Sequence, residues 1–173
     1  MSEPSETRAA NPLDPERLIA VLAAHDVRYV LIGALGARLQ GFPRLTADAD
    51  ITPARDGRNL EHLASALREL GARVFTESVP EGLAFDFTAR ALANAELWNL
   101  VTSAGRLDIA FVPSGTTGYD DLARGAIIYD VNGARLEVAR LEDIIRSKQA
   151  ADRPQDRQDV AVMRELIERR GER

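Results

Sequence analysis

The residue hardest to place in this chain is an aspartate inside an apolar strand. In Gly105-Arg106-Leu107-Asp108-Ile109-Ala110-Phe111 the alternation predicts a strand over 106–112. A carboxylate flanked by Leu107, Ile109 and Phe111 would cost several kcal/mol if it were buried without a partner. Its face must therefore meet water, a cation or an arginine. A second strand, predicted over 46–53, makes the same demand twice. Asp48 and Asp50 stand two residues apart and share one face, while Ala47, Ala49 and Ile51 take the other. Any fold open to this chain has to bury one face of these strands and open the acidic face to a surface or cleft.

The remaining elements alternate in type. Asp14-Pro15-Glu16 reads as an N-cap with proline in the first turn, and Leu18, Val21 and Leu22 give helical spacing to about His25. A β-branched run over 27–32 follows and stops at Gly33. Ala34 to Leu39 predicts a short helix ending at Gly41, whose small residues let backbone and ligand approach closely. Asp56 caps a helix with a Leu60, Leu63, Leu67, Leu70 stripe, closed by Gly71. Strands are expected at 73–77, 85–89 and 97–102, and a short helix at 119–124. Asn132-Gly133 supplies the two positive φ angles of a tight hairpin between 127–131 and 134–138. Helices over 141–151 and about 155–169 finish the chain. Residues 1–12 carry no apolar period and read as a flexible N-terminus, leaving 13–173 as a single domain.

Composition narrows the chemistry. The 173 residues include no cysteine, which excludes disulfides, a thiol nucleophile and thiolate-held metals. The uncharged run from Tyr29 to Ala37 is too short to span a bilayer and the acidic start is unlike a signal peptide, so a cytoplasmic protein with no membrane partner is expected. Net charge is −5, against the profile of a strongly basic nucleic-acid binder. Residues 140–173, with nine basic and eight acidic side chains, are the least acidic part. Gly33-Ala34-Leu35-Gly36 matches neither the dinucleotide fingerprint nor a phosphate loop ending in Gly-Lys-Ser/Thr.

Three carboxylates on one face form a hard-oxygen donor set suited to Mg²⁺, which takes a few carboxylates plus waters and phosphate oxygens. The corresponding reaction is in-line displacement at a nucleotide phosphate. At this point the sequence resembles the nucleotidyltransferase superfamily, and within it the small bacterial abortive-infection and toxin-type nucleotidyltransferases. The resemblance rests on Tyr29-Val30-Leu31-Ile32-Gly33-Ala34, on Arg44-Leu45-Thr46-Ala47-Asp48-Ala49-Asp50 and on Gly105-Arg106-Leu107-Asp108. Its C-terminal part is Leu141-Glu142-Asp143-Ile144-Ile145-Arg146-Ser147-Lys148 followed by Arg153-Pro154-Gln155-Asp156-Arg157-Gln158-Asp159. It covers residues 14 to about 167.

What the resemblance implies is an α+β fold, a mixed sheet of nucleotidyltransferase type flanked by helices, with C-terminal helices. It further implies transfer of a nucleoside monophosphate from an NTP with Mg²⁺ or Mn²⁺. Asp48, Asp50 and Asp108 would hold metal, and Asp108 would also serve as base. Gly33, Ala34, Arg44, Lys148 and Asp156 would bind nucleotide, with Lys148 counted among the catalytic residues. In toxin-type relatives the acceptor is often the 3′ end of tRNA, and a cognate antitoxin is the partner. Small-molecule or protein nucleotidylation is an alternative, as is an inactive nucleotide-binding regulatory module. Where the family has Ser or Gly this chain has Ala34, so without a hydroxyl triphosphate binding would rest on the Gly33 backbone and on cations.

Each residue also has a plainer reading. Asp48 and Asp50 would suit a solvated strand, and Asp108 an arginine pair. Lys148, the sole lysine, would be an exposed helix charge contributing less than about 0.5 kcal/mol to stability. Asp156 and Asp159 would favour the start of the last helix. Phe85, Phe87, Trp98 and Phe111 read as core aromatics, and His25 and His62 as exposed helix neighbours without a role.

Overall fold

A computed structural model describes residues 11–172, so that most of the expected flexible terminus, residues 1–10, lies outside the described residues. Helix α1 (Pro15–Ala24) starts on Asp14, whose carboxylate accepts from the Arg17 N–H. Strand β1 (Tyr29–Ile32) runs directly into α2 (Gly33–Leu39), and β2 (Asp48–Pro53) precedes α3 (Gly57–Glu69). Asp56 caps α3 through the Asn59 N–H, and Gly71 ends that segment at φ +59. After β3 (Arg73–Thr76), β4 (Val79–Leu83) and α4 (Ala89–Ala93) come β5 (Leu97–Thr102), β6 (Gly105–Ala110) and α5 (Tyr119–Arg124). The hairpin β7 (Ile127–Val131) and β8 (Ala134–Val138) turns on Asn132 at φ 53 and Gly133 at φ 84, as Asn-Gly demands. Helices α6 (Leu141–Ala151) and α7 (Pro154–Gly171) complete the described chain.

All eight strands form one mixed sheet in the order β4-β3-β5-β6-β2-β1-β8-β7, parallel at β1/β8 and β2/β6 and antiparallel elsewhere. The expected mixed α+β architecture with C-terminal helices is the one observed. Register assigns the faces. Leu31, Ala49, Ile51, Leu107 and Ile109 point to one side and pack on Leu18 and Leu22 of α1 and Leu60, Leu63 and Leu67 of α3. Val30 belongs to the opposite side, where Ala34, Ala37, Leu122, Ile144, Val160 and Met163 from α2 and α5–α7 bury a second, smaller core. That core stops at β1, and no residue of β5 or β6 is among its buried members. The second face of the sheet is thus roofed at one end and open at the other. No helix among the described residues is long and apolar enough to cross a membrane.

One expected strand is absent. Residues 85–89 form no ladder; β4 lies earlier, at Val79–Leu83, and Ala89 begins α4, capped by the Thr88 hydroxyl accepting from the Ala91 N–H. Pro80, Glu81 and Gly82 conceal β4 in the sequence, and they are tolerated because β4 is a sheet edge. The alternation of Phe85 and Phe87 serves a different end: both rings pack with Trp98, at centroid distances of 5.2 and 6.0 Å. Phe87 and Phe111 are buried as expected, whereas Phe85 stays 42% exposed at the rim of this cluster. His25 and His62 are half-buried and bond to Glu69 and to the Asp26 carbonyl.

Candidate active site

Pairing of β2 with β6 brings the acids together. Asp50 is the direct register partner of Asp108, and Asp48 that of Arg106. Since register partners on neighbouring strands project to one side of a sheet, Asp48, Asp50, Asp108 and Arg106 share the face that the helices leave partly open. Asp48, Asp50 and Asp108 line a cleft of about 940 Å³. Gly33, Ala34, Arg44, Lys148 and Asp156 line the same cleft, so the structure gathers every residue singled out from the sequence at one place.

Gly33 is where β1 turns into α2, at φ +67, a conformation that glycine adopts without strain. The position is also crowded: a Cβ there would sit 3.0 Å from the Asp50 Cγ. Ala34 is buried behind it. The Asp50 carboxyl therefore lies against bare backbone.

Lys148 corrects the expectation of an exposed helix charge. Its side chain is only 11% exposed, because the turn between α6 and α7, with Asp152 at φ 48, folds α7 back along α6. Nζ donates to Asp156 Oδ1 at 3.3 Å and to Asp159 Oδ2 at 3.2 Å. Arg44 Nη2 meets the same Asp159 oxygen at 3.1 Å, and Arg153 Nε donates to Asp156 Oδ2 at 2.8 Å. Asp156 additionally accepts from the Arg153 N–H, which makes it the capping residue of α7 as well as a cleft residue. Burial acts to raise the Asp156 pKa, but hydrogen bonds from the Arg153 side chain and backbone and the charge of Lys148 hold it below the ordinary carboxylate value.

The acids on the sheet behave in the opposite way. Burial, then the charges of Asp108 and Asp48, push Asp50 up to about 7, against a weaker pull from Lys148 and Arg153. Burial, then Asp48, push Asp108 to about 6, although Arg106 opposes this. The Arg106 guanidinium is 3.8 Å from Asp108 Oδ1, beyond hydrogen-bond range, and stacks 3.8 Å over the Phe75 ring. Asp108 Oδ1 and Arg106 Nε are both buried without a hydrogen-bond partner.

These are the properties of a donor set short of a cation. No group of three or more His, Asp or Glu side chains among the described residues is arranged to hold a metal ion by itself. Mg²⁺ needs none, because it binds through one or two carboxylates plus waters and substrate phosphates. The orphaned Asp108 oxygen beside Asp50 fits that mode.

The sequence reading overlooked several cleft residues. Arg106, which flanks Asp108 without lining the cleft, was detectable, since it stands two residues from Asp108 on the same strand and so shares its face. Arg153 lies within the C-terminal motif. Glu96, Leu97, Asn99 and Val112 also line the cleft, and only strand pairing places them there. A neighbouring depression of about 490 Å³ is bordered by Arg140, Arg146, Asp121 and Asp143, whose charges neutralise one another.

No protein-family model and no curated sequence matches the chain. Solved structures do resemble it. The lincosamide antibiotic adenylyltransferase LnuA, in its lincomycin-bound form, superimposes with a TM-score of 0.57 at 14% identity, over 90% of this chain and 99% of that one. The antibiotic-resistance factor ANT(2″)-Ia in complex with adenylyl-2″-tobramycin gives 0.51 at 17% identity, over 84% and 83%. A candidate nucleotidyltransferase from Thermotoga maritima gives 0.50 at 17% identity, over 92% and 97%. The mixed sheet flanked by helices, with its C-terminal helices, is the fold of these nucleotidyltransferase structures.

Proposed function

We propose that this protein is a divalent-metal-dependent nucleotidyltransferase that moves a nucleoside monophosphate from an NTP to a hydroxyl acceptor. The observation that carries the reading is the Asp50–Asp108 pair in a cleft that Gly33, packed against Asp50, and Lys148 also line. Mg²⁺ or Mn²⁺, held by Asp48, Asp50 and Asp108, would supply charge neutralisation to the triphosphate.

The chain's own residues supply the rest. The Gly33 backbone admits phosphate oxygens close to Asp50, where Ala34 offers no hydroxyl. Lys148, with Arg44 and Arg153 nearby, presents cations to the phosphates. Asp108 takes the proton of the acceptor hydroxyl; the hydroxyl oxygen bonds to the α-phosphorus as the bond to pyrophosphate breaks. Asp156 and Asp159 hold Lys148 and Arg44 in place.

The arginines bear on the acceptor. A tRNA end, the acceptor in the toxin-type relatives the sequence resembles, needs free cations for its phosphates. Here Arg44 and Arg153 are taken up by the triphosphate, and of the others Arg55 pairs with Glu96, Arg146 with Asp121 and Asp143, and Arg157 with Asp152. Arg58 sits on α3, behind the sheet. This arrangement favours a small molecule or a protein over RNA, and nothing in it calls for an antitoxin. The similarity to LnuA and ANT(2″)-Ia points the same way. The test is incubation with each α-labelled NTP and Mg²⁺ in the presence of total tRNA, of protein, or of hydroxyl-bearing small molecules. Label transferred to an acceptor and lost in Asp108→Asn supports the reading. Failure of every NTP both to bind and to transfer would sink it.

A further inference from the structure

Beside Asp108 the open end of the sheet carries a patch that folding alone does not explain. Asn99 is the register partner of Asp108, and Leu97 that of Ala110, so both project from β5 onto the acidic face. Leu97 is 65% exposed and Val112, just past β6, is 49% exposed. Both line the cleft that holds the aspartates. The second core ends at β1 and leaves them uncovered.

Resting on the nucleotidyl-transfer reading above, we propose that Leu97, Asn99 and Val112 form the acceptor shelf, and that it takes a small hydroxyl compound with an apolar ring and no net negative charge. Apolar side chains exposed inside a cleft mark a surface that gains by being covered. Asn99 can both donate to and accept from a hydroxyl-rich ligand. The charges beside the shelf are the carboxylates of Glu96 and Asp108. The two nearby arginines are engaged: Arg55 bonds to Glu96 and lies 4.7 Å from the Phe111 ring centroid, and Arg106 stacks on Phe75. An anionic acceptor would find two carboxylates there and, for cations, only Arg55 bonded to Glu96 and Arg106 held between the Phe75 ring and Asp108. The cleft, at about 940 Å³, is at the upper end of the roughly 300–1,000 Å³ typical of small-ligand sites. That is a volume for a nucleotide and a small acceptor together.

The experiment uses three matched probes on the full chain: phenyl β-glucoside and its para-aminomethyl and para-carboxylate derivatives. Binding is followed by methyl NMR of Leu97 and Val112 and by calorimetry, with Mg–ATP binding measured separately. The neutral and cationic probes are expected to shift both methyl groups and to bind more tightly than the carboxylate. Leu97→Ser should weaken them by about tenfold, the scale of losing a buried leucine contact, with folding checked by the unchanged remainder of the spectrum. Probes that leave both methyl groups unmoved, a carboxylate that binds as well as the amine, or Leu97→Ser with undiminished affinity would overturn the shelf. Because the readout is binding without turnover, loss of the shelf is distinguishable from loss of the nucleotidyl-transfer reading, which is decided by binding and transfer across all the Mg–NTPs.

Discussion

Asp50 and Asp108 are register partners on the parallel strands β2 and β6, and neither carboxylate is at its ordinary pKa. Both are raised, so the folded state binds protons more tightly than the unfolded one. Below about pH 4 both states are protonated and the pair costs nothing; stability then falls as pH rises through the folded values near 7 and 6. Asp50→Asn should therefore stabilise metal-free protein at about pH 8 by on the order of 1–4 kcal/mol, seen as a higher melting temperature, and have little effect near pH 4. The wild-type minus variant difference, measured by thermal melts across pH, isolates this pair from acids such as Asp56 and Asp121, whose lowered values act in the opposite direction. A difference independent of pH would refute the coupling.

A cation is the natural relief for these carboxylates. Mg²⁺ or Mn²⁺ should raise the melting temperature, since an ion that binds only the folded state stabilises it by mass action. The double variant Asp48→Asn, Asp50→Asn should lose the shift. An equal shift in that variant would place the metal elsewhere.

Lys148 is expected to matter for folding as well as for nucleotide. Lys148→Ala strips a near-buried cation from Asp156 and Asp159. Removing one member of a buried pair costs about 3–5 kcal/mol when nothing else compensates. Arg153 and Arg44 still contact the two acids, so the loss should fall below that range, at about 1–3 kcal/mol by denaturant melts. Lys148→Arg should recover much of the stability. An alanine variant as stable as wild type would contradict the network.

Gly33→Ala tests the contact with Asp50. The substitution forces a side chain into φ +67 and against the Asp50 carboxyl. It should destabilise the fold by more than about 1 kcal/mol and abolish Mg–ATP binding in the protein that remains folded. Retained nucleotide binding would show that phosphates do not approach this backbone.

The acceptor can be probed with salt. If Arg55, Arg146 and Arg157 stay paired with the acids they contact, transfer to a small hydroxyl compound should be nearly flat between about 50 and 200 mM salt, whereas a polyanionic acceptor would lose severalfold or more. Labelling of RNA with a steep salt dependence would reinstate the tRNA reading.

Much of this protein was legible locally. Asp14 and Asp56 as caps, Gly71 as a helix stop and Asn132-Gly133 as a hairpin are decided within a few residues by hydrogen bonding and φ preference. The two-residue spacing of Asp48 and Asp50 fixes their common face whatever surrounds them. The edge strand at Val79–Leu83 was illegible because its Pro, Glu and Gly are permitted by its place in the sheet, not by propensity. Lys148 lies on a helix whose sequence reads as solvent-facing, and only the return of α7 buries it against Asp156 and Asp159. The neighbours of Asp108 were hidden for the same reason. Asn99 flanks it across the short β5–β6 hairpin, but Asp50 does so through a ladder that spans a long stretch of chain, and the open end of the sheet exists because α5–α7 pack over β1 and stop there. Periodicity assigns a side chain to a face, but which faces meet and which remain uncovered is settled by long-range packing of apolar surface.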